Sequence, residues 1–114
     1  MSLPPNNRLL KKDFKKTGQK KTSGGFYVRL TYKKNGLSVS RFGILIPGKV
    51  ITKAFRRNRV RRILREALRK NLTSILPGYD VIFLIQRDDP KNEYNIVSEA
   101  TGMLEGIGLI NKTQ

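Results

Sequence analysis

The chain has no cysteine, no histidine and no tryptophan, and few acids. Without cysteine it can build neither a disulfide framework nor a thiolate metal site, and without histidine it has no imidazole to serve as general base or zinc ligand. Serine and cysteine triads and zinc hydrolases are therefore excluded. Long hydrophobic runs are missing as well: the longest stretches from Val81 to Ile85, far short of the roughly 20 residues a membrane-spanning helix needs. The opening Met1-Ser2-Leu3-Pro4-Pro5 lacks the apolar stretch of a signal peptide, so a cytoplasmic location is expected.

What is abundant is positive charge. Across 114 residues, 24 Lys and Arg face 8 Asp and Glu, a net charge of +16. Up to Arg87 there are 22 basic residues and 3 acids (Asp13, Glu66, Asp80), net +19; beyond it there are 2 and 5, net −3. A surface so cationic repels itself in the compact state and calls for a polyanion, nucleic acid or an anionic membrane. The length fits one domain, 1–114, with residues 1–7 expected to be flexible. A hydrophobic fraction of 38%, with five Phe and four Tyr, supports a folded core.

Periodicity gives an α+β chain, a small mixed sheet with packed helices in the order α-β-β-α-β-α. A short helix is expected over Arg8–Lys16, held by Leu9, Leu10 and Phe14, and a loop over 19–25. From Phe26 the period becomes two: Phe26, Val28, Leu30 and Tyr32 form a buried face, and Tyr27, Arg29, Thr31 and Lys33 an outward one. Asn35-Gly36 signals a hairpin to a second strand, Ser38–Ile46. Thr52 is read as the N-cap of a long helix, about Lys53–Leu72, whose stripe is Val60, Ile63, Leu64, Ala67 and Leu68. Val81–Ile85 reads as a central strand buried on both faces. Asp89-Pro90 opens a last helix with Tyr94, Val97, Met103, Leu104 and Ile107 inward.

The densest feature is Arg56-Arg57-Asn58-Arg59-Val60-Arg61-Arg62-Ile63-Leu64-Arg65-Glu66, six arginines in eleven positions without a lysine. The planar guanidinium fork binds phosphate bidentately and stacks on bases, whereas the lysine ammonium is a hydrated point charge. At about 100° per residue, Asn58, Arg61, Arg62, Arg65 and Arg69 fall opposite the apolar stripe. A solvated face balanced by Glu66 with Arg62 or Lys70 is the alternative, but one glutamate cannot balance so many arginines. Tyr27, Arg29, Thr31 and Lys33, with Arg41 beside them, combine an aromatic with cations, as single-stranded nucleic acid requires; an ordinary polar sheet surface has the same pattern. Asp88-Asp89 is the one adjacent acidic pair and is read as capping, so no catalytic carboxylate set is expected.

Arg57-Asn58-Arg59 followed by Arg61-Arg62 and Arg65-Glu66 resembles the signature helix of the protein subunit of bacterial ribonuclease P. Arg41-Phe42-Gly43-Ile44, Lys49, Gly78-Tyr79-Asp80-Val81, Arg87, Arg8-Leu9 and Asp13-Phe14 extend the likeness over about 8–107. Thr17-Gly18, Thr52 and Asp88 depart from the family pattern. The resemblance implies a left-handed β-α-β crossover and an accessory subunit that is noncatalytic by itself. In that family a catalytic RNA, with Mg²⁺ held mainly by the RNA, cleaves precursor tRNA to its mature 5′ end. It further implies that Lys49, Lys53, Arg56, Arg57, Asn58, Arg59, Arg61, Arg62, Arg65 and Arg69 meet the ribonuclease P RNA. Phe14, Tyr27, Arg29, Thr31, Lys33 and Arg41 would hold the precursor's 5′ leader. A ribosomal or other structural RNA-binding protein, a membrane-surface protein and an autonomous nuclease are the alternatives.

Overall fold

The computed structural model describes residues 3–9 and 20–110. Four strands, β1 (Lys21–Gly24), β2 (Val28–Lys34), β3 (Arg41–Leu45) and β4 (Tyr79–Ile85), form one sheet in the order β1-β2-β4-β3. β1 with β2 and β2 with β4 are antiparallel, while β3 runs parallel to β4. Helix α1 (Ala54–Lys70) connects those parallel neighbours, and α2 (Tyr94–Gly106) follows β4. The fold is the expected mixed α+β.

One side of the sheet and both helices make the core. Val28 and Leu30 of β2, and Val81, Phe83 and Ile85 of β4, meet Val60, Leu64 and Leu68 of α1 and Ile96, Ala100 and Leu104 of α2, all fully buried. Phe42 of β3 stacks on Phe83, with ring centroids 6.4 Å apart. Ile63 and Ala67 pack at the margin of this cluster, so the apolar stripe of α1 lies where its helical spacing places it.

Several expectations are corrected. Asn35-Gly36 does not join paired strands, because β4 lies between β2 and β3. β4 takes an inner place because its alternate positions, Ile82 and Leu84, are apolar enough to be half-covered, whereas β3, left at the edge, offers Arg41 and Gly43 there. A type I′ turn would need positive φ at Asn35, but only glycines have it among the described residues. Asn35 acts through its side chain, accepting from the Leu37 N–H at 2.7 Å and donating to the Val39 carbonyl at 3.1 Å. The loop expected over 19–25 contains edge strand β1, whose polar sequence gives no alternating apolar signal.

Helix boundaries shift too. Lys53, not Thr52, occupies the N-cap of α1, without a side-chain cap bond. α2 begins at Tyr94 instead of Pro90, so Tyr94 points outward. Asp89 forms a local turn before it, accepting from the Asn92 N–H at 3.1 Å. The expected helix over Arg8–Lys16 falls largely outside the described residues, as does Phe14; Arg8 itself pairs alongside Phe42 in a parallel bridge. Within the stretch 1–7, expected to be flexible, Leu3 is buried and Asn7 donates to the Ser40 carbonyl at 2.8 Å, while residues 4–6 are exposed.

Candidate nucleic-acid interface

With Val60, Leu64 and Leu68 turned inward, the arginines of α1 divide between two flanks. Phe55, Arg56, Arg59, Arg62 and Lys70 lie toward α2, and Arg57, Asn58, Arg61 and Arg65 lie on the opposite side. The acids distinguish the two. Toward α2, Arg56 donates to Asp88 at 2.5 Å and to Glu93 at 3.1 Å, and Arg59 donates through Nε to Glu93 at 2.6 Å. The hydrogen bond to Asp88, helped by Glu93, holds the Arg56 guanidinium above its usual range. Arg69 caps Glu66 with two bonds, at 3.1 and 2.6 Å, and this pairing lowers the Glu66 carboxyl.

The far flank shows no such neutralisation among the described residues: Arg57, Arg61 and Arg65 have no carboxylate partner there, nor do Lys49 and Lys53, and on the α2 side Arg62 has none either. Arg57 donates to the Ile51 and Thr52 carbonyls at 2.9 and 3.0 Å, and Arg61 to Asn58 Oδ1 at 3.2 Å. Arg65 is half-buried, and burial first, then the charges of Arg8 and Arg61, pushes its guanidinium below the ordinary arginine range. A cluster held against its own repulsion binds an arriving polyanion with less desolvation than an internally paired one.

On the outward face of the sheet, register places Lys33 of β2 and Arg41 of β3 on either side of Asp80 of β4. Asp80 is 1% exposed and accepts from Arg41 Nε and Nη2, both at 2.8 Å, and from Asn35 Nδ2 at 2.8 Å. Lys33, read from sequence as facing outward to solvent, is only 5% exposed. Its position opposite a buried acid, invisible in the sequence, explains why a lysine can be accommodated there. Arg29 is exposed and Thr31 half-buried on the same face.

Tyr27 precedes β2, and its hydroxyl donates to Asp89 at 2.8 Å. Glu99 of α2 accepts from the Tyr27 and Val28 N–H groups, each at 2.7 Å. Phe26, expected inside, is exposed; its ring meets Tyr27 edge-on at 4.8 Å, and the Arg87 guanidinium lies 4.4 Å from its centre. Neither Asp88 nor Asp89 caps a helix: one holds Arg56 and the other Tyr27.

Sequence reasoning missed Phe26, Phe55 and Tyr94 as exposed aromatics. Phe55 carried a usable signal, since it lies off the apolar stripe; Tyr94 was hidden by the displaced start of α2. No three of His, Cys, Asp and Glu among the described residues come together in a way that could hold a metal ion. No helix of the described residues is long and apolar enough to cross a membrane.

The family model for ribonuclease P matches residues 3–105. A ribonuclease P protein component of Alkaliphilus oremlandii is 33% identical over 108 residues, 92% of this chain and 94% of that one. One from Fusobacterium nucleatum is 40% identical over 68 residues, about three fifths of each chain (60%). Among solved structures, the RNase P protein of Thermotoga maritima in complex with 1-(4-fluorophenyl)-2-thiourea has a TM-score of 0.68 at 27% identity, covering 76% of this chain and 85% of that one. An RNase P protein of Staphylococcus aureus shares the fold, with a TM-score of 0.77 at 19% identity over 92% of this chain and 91% of that one.

Proposed function

Because the chain belongs to the ribonuclease P protein family, we propose that it is the protein subunit of ribonuclease P, binding the catalytic RNA and promoting 5′ maturation of precursor tRNA. The observation that carries this reading is the uneven neutralisation of α1. Carboxylates occupy Arg56, Arg59 and Arg69, while among the described residues Arg57, Arg61, Arg62 and Arg65 have no carboxylate partner and leave their charge to an external anion. In this reading Arg61 and Arg65, with Asn58 beside them, meet phosphates of the RNA subunit, and Lys49 and Lys53 extend that contact toward the start of the helix.

The leader of the precursor would run over the outward sheet face, with Arg29 and Thr31 as its contacts and Asp80 fixing the direction of Arg41. Phe14 belongs to the same proposal. Lys33, being buried, would act by holding that face together. Any Mg²⁺ used in cleavage would be held mainly by the RNA, and the polypeptide alone would be noncatalytic. The setting would be the cytoplasm.

Competition binding tests the reading. The protein should assemble with a bacterial ribonuclease P RNA in preference to ribosomal RNA fragments of equal length, with affinity falling steeply as salt rises. Equal affinity for both RNAs would point to a general structural RNA-binding protein.

A further inference from the structure

The flank of α1 facing α2 contains a feature that phosphate binding alone leaves unexplained. Phe55, at the start of α1, is 68% exposed, and Tyr94, at the start of α2, is 58% exposed. Neither ring contacts another ring among the described residues. Both line one hollow of about 390 Å³, together with Arg59 and Lys91. Two large aromatics kept in water and facing one concavity are costly to hydrate without a partner.

Charge within the hollow is arranged for an anion. Glu93 takes Nε of Arg59 at 2.6 Å, and among the described residues no other acceptor takes this guanidinium, so its two terminal amino groups remain available while its direction is fixed. The Arg59 side chain is 53% exposed despite that anchor. A second hollow of about 540 Å³ shares Arg59 and Tyr94 and continues past Arg62 to Lys70. Its one acid, Glu66, is occupied by Arg69. Aromatic faces at one end and a line of cations leading away match the two parts of a nucleotide: a base to stack and a backbone to neutralise.

We propose that the seam between α1 and α2 is a binding site for an unpaired ribonucleotide, whose base stacks on Phe55 and Tyr94 while Arg59, oriented by Glu93, holds its phosphate. Duplex RNA would be a poor ligand, because its bases are already stacked and their faces unavailable. The same chemistry can be supplied by an unpaired position of the RNA subunit or by the precursor's single-stranded leader. Only that assignment of source rests on the ribonuclease P reading; the site itself does not.

The chain has no tryptophan, so Phe55→Trp introduces a lone reporter into the hollow. Titration of the full-length Phe55→Trp protein with a single-stranded RNA octamer should give saturable quenching, and a duplex of equal charge should give little. Phe55→Ala with Tyr94→Ala should weaken octamer affinity by about tenfold or more, in line with alanine effects at stacking sites. An unchanged thermal melt is expected, since both rings are exposed. Glu93→Gln should weaken octamer binding while Arg59→Lys, losing the fork, weakens it further. Octamer affinity unaffected by the double alanine change, or equal quenching by duplex, would overturn the proposal.

Two further arms identify the source with the same double variant. Reduced affinity for ribonuclease P RNA alone assigns the nucleotide to the RNA subunit. Reduced affinity confined to holoenzyme with leader-bearing precursor, against leaderless tRNA, assigns it to the leader. If the wild-type protein failed to bind ribonuclease P RNA at all, the functional reading would fall while the octamer result still decided the site.

Discussion

Asp80 and Arg41 form a two-pronged ion pair across neighbouring strands: the carboxylate, 1% exposed, accepts both Nε and Nη2 of the guanidinium at 2.8 Å. Asn35 adds a third donor at 2.8 Å, so the pair also fixes the loop between β2 and β3. Removing one partner of such a pair leaves polar groups uncompensated. Asp80→Ala should lower stability by about 3 kcal/mol, and Asp80→Asn by less because the amide retains one acceptor. Urea denaturation of the two variants checks the order; equal, negligible losses would contradict it.

The Tyr27–Asp89 hydrogen bond sets a pH window. Hydrogen bonds from Asn95 first, and then from Tyr27, hold the Asp89 carboxyl below its ordinary value, so its contribution to stability is present at neutral pH and is lost as pH falls through the folded-state value. Bonding to Asp89 raises the Tyr27 phenol, whose contribution is full below the ordinary tyrosine value and disappears as pH rises through the folded one. Asp89→Asn should flatten the acid limb of a stability-versus-pH curve and return the Tyr27 titration toward the ordinary range. An NMR titration of Tyr27 unmoved by the substitution would count against the bond.

Glu99 ties the turn before β2 to α2. Its Oε2 accepts from both Tyr27 and Val28 N–H groups, and a Cβ on Gly25 would collide with the same carboxylate. Glu99→Ala should cost about 2 kcal/mol through the orphaned donors, and Gly25→Ala about 1–3 kcal/mol through overpacking. In the double variant the two losses should combine to less than their sum, because the collision disappears with the carboxylate. Thermal or chemical denaturation of the cycle measures this, and simple additivity would refute the shared contact.

Arg65 should trade stability for binding. Its guanidinium is half-buried and repelled by Arg8 and Arg61, so Arg65→Met is expected to leave folding stability within about 0.5 kcal/mol or raise it. RNA affinity should fall at the same time, and the salt slope should flatten by about one unit if one phosphate contact is lost. Leu64→Ala, one residue away and fully buried, should instead cost about 2–5 kcal/mol. A melt that ranked the two changes the other way would reverse the assignment of helix faces.

Much of this was legible in the sequence because one short-range signal dominated. The stripe Val60, Ile63, Leu64, Ala67 and Leu68 determined which way α1 faces, and the alternation of Val28 and Leu30 determined the inner face of β2. Strand order was not legible, since the local turn signal at Asn35-Gly36 competes with the long-range advantage of centring the most apolar strand, β4. Which arginines remain available could not be read either. Asp88 and Glu93 lie 32 and 34 positions from their partners Arg56 and Arg59, and only the docking of α2 onto α1 joins them. The charge reversal after Arg87 also finds its meaning there: Asp88, Asp89, Glu93 and Glu99 fasten the last quarter of the chain to the rest.

Reconstitution is the most direct test of the claim that the unpaired face of α1 serves a catalytic RNA. Purified protein should stimulate 5′ cleavage of precursor tRNA by a bacterial ribonuclease P RNA at low Mg²⁺, and Arg61→Ala with Arg65→Ala should lose that stimulation while melting like the wild type. Undiminished stimulation by the folded double variant, or cleavage by the protein without any RNA subunit, would contradict it.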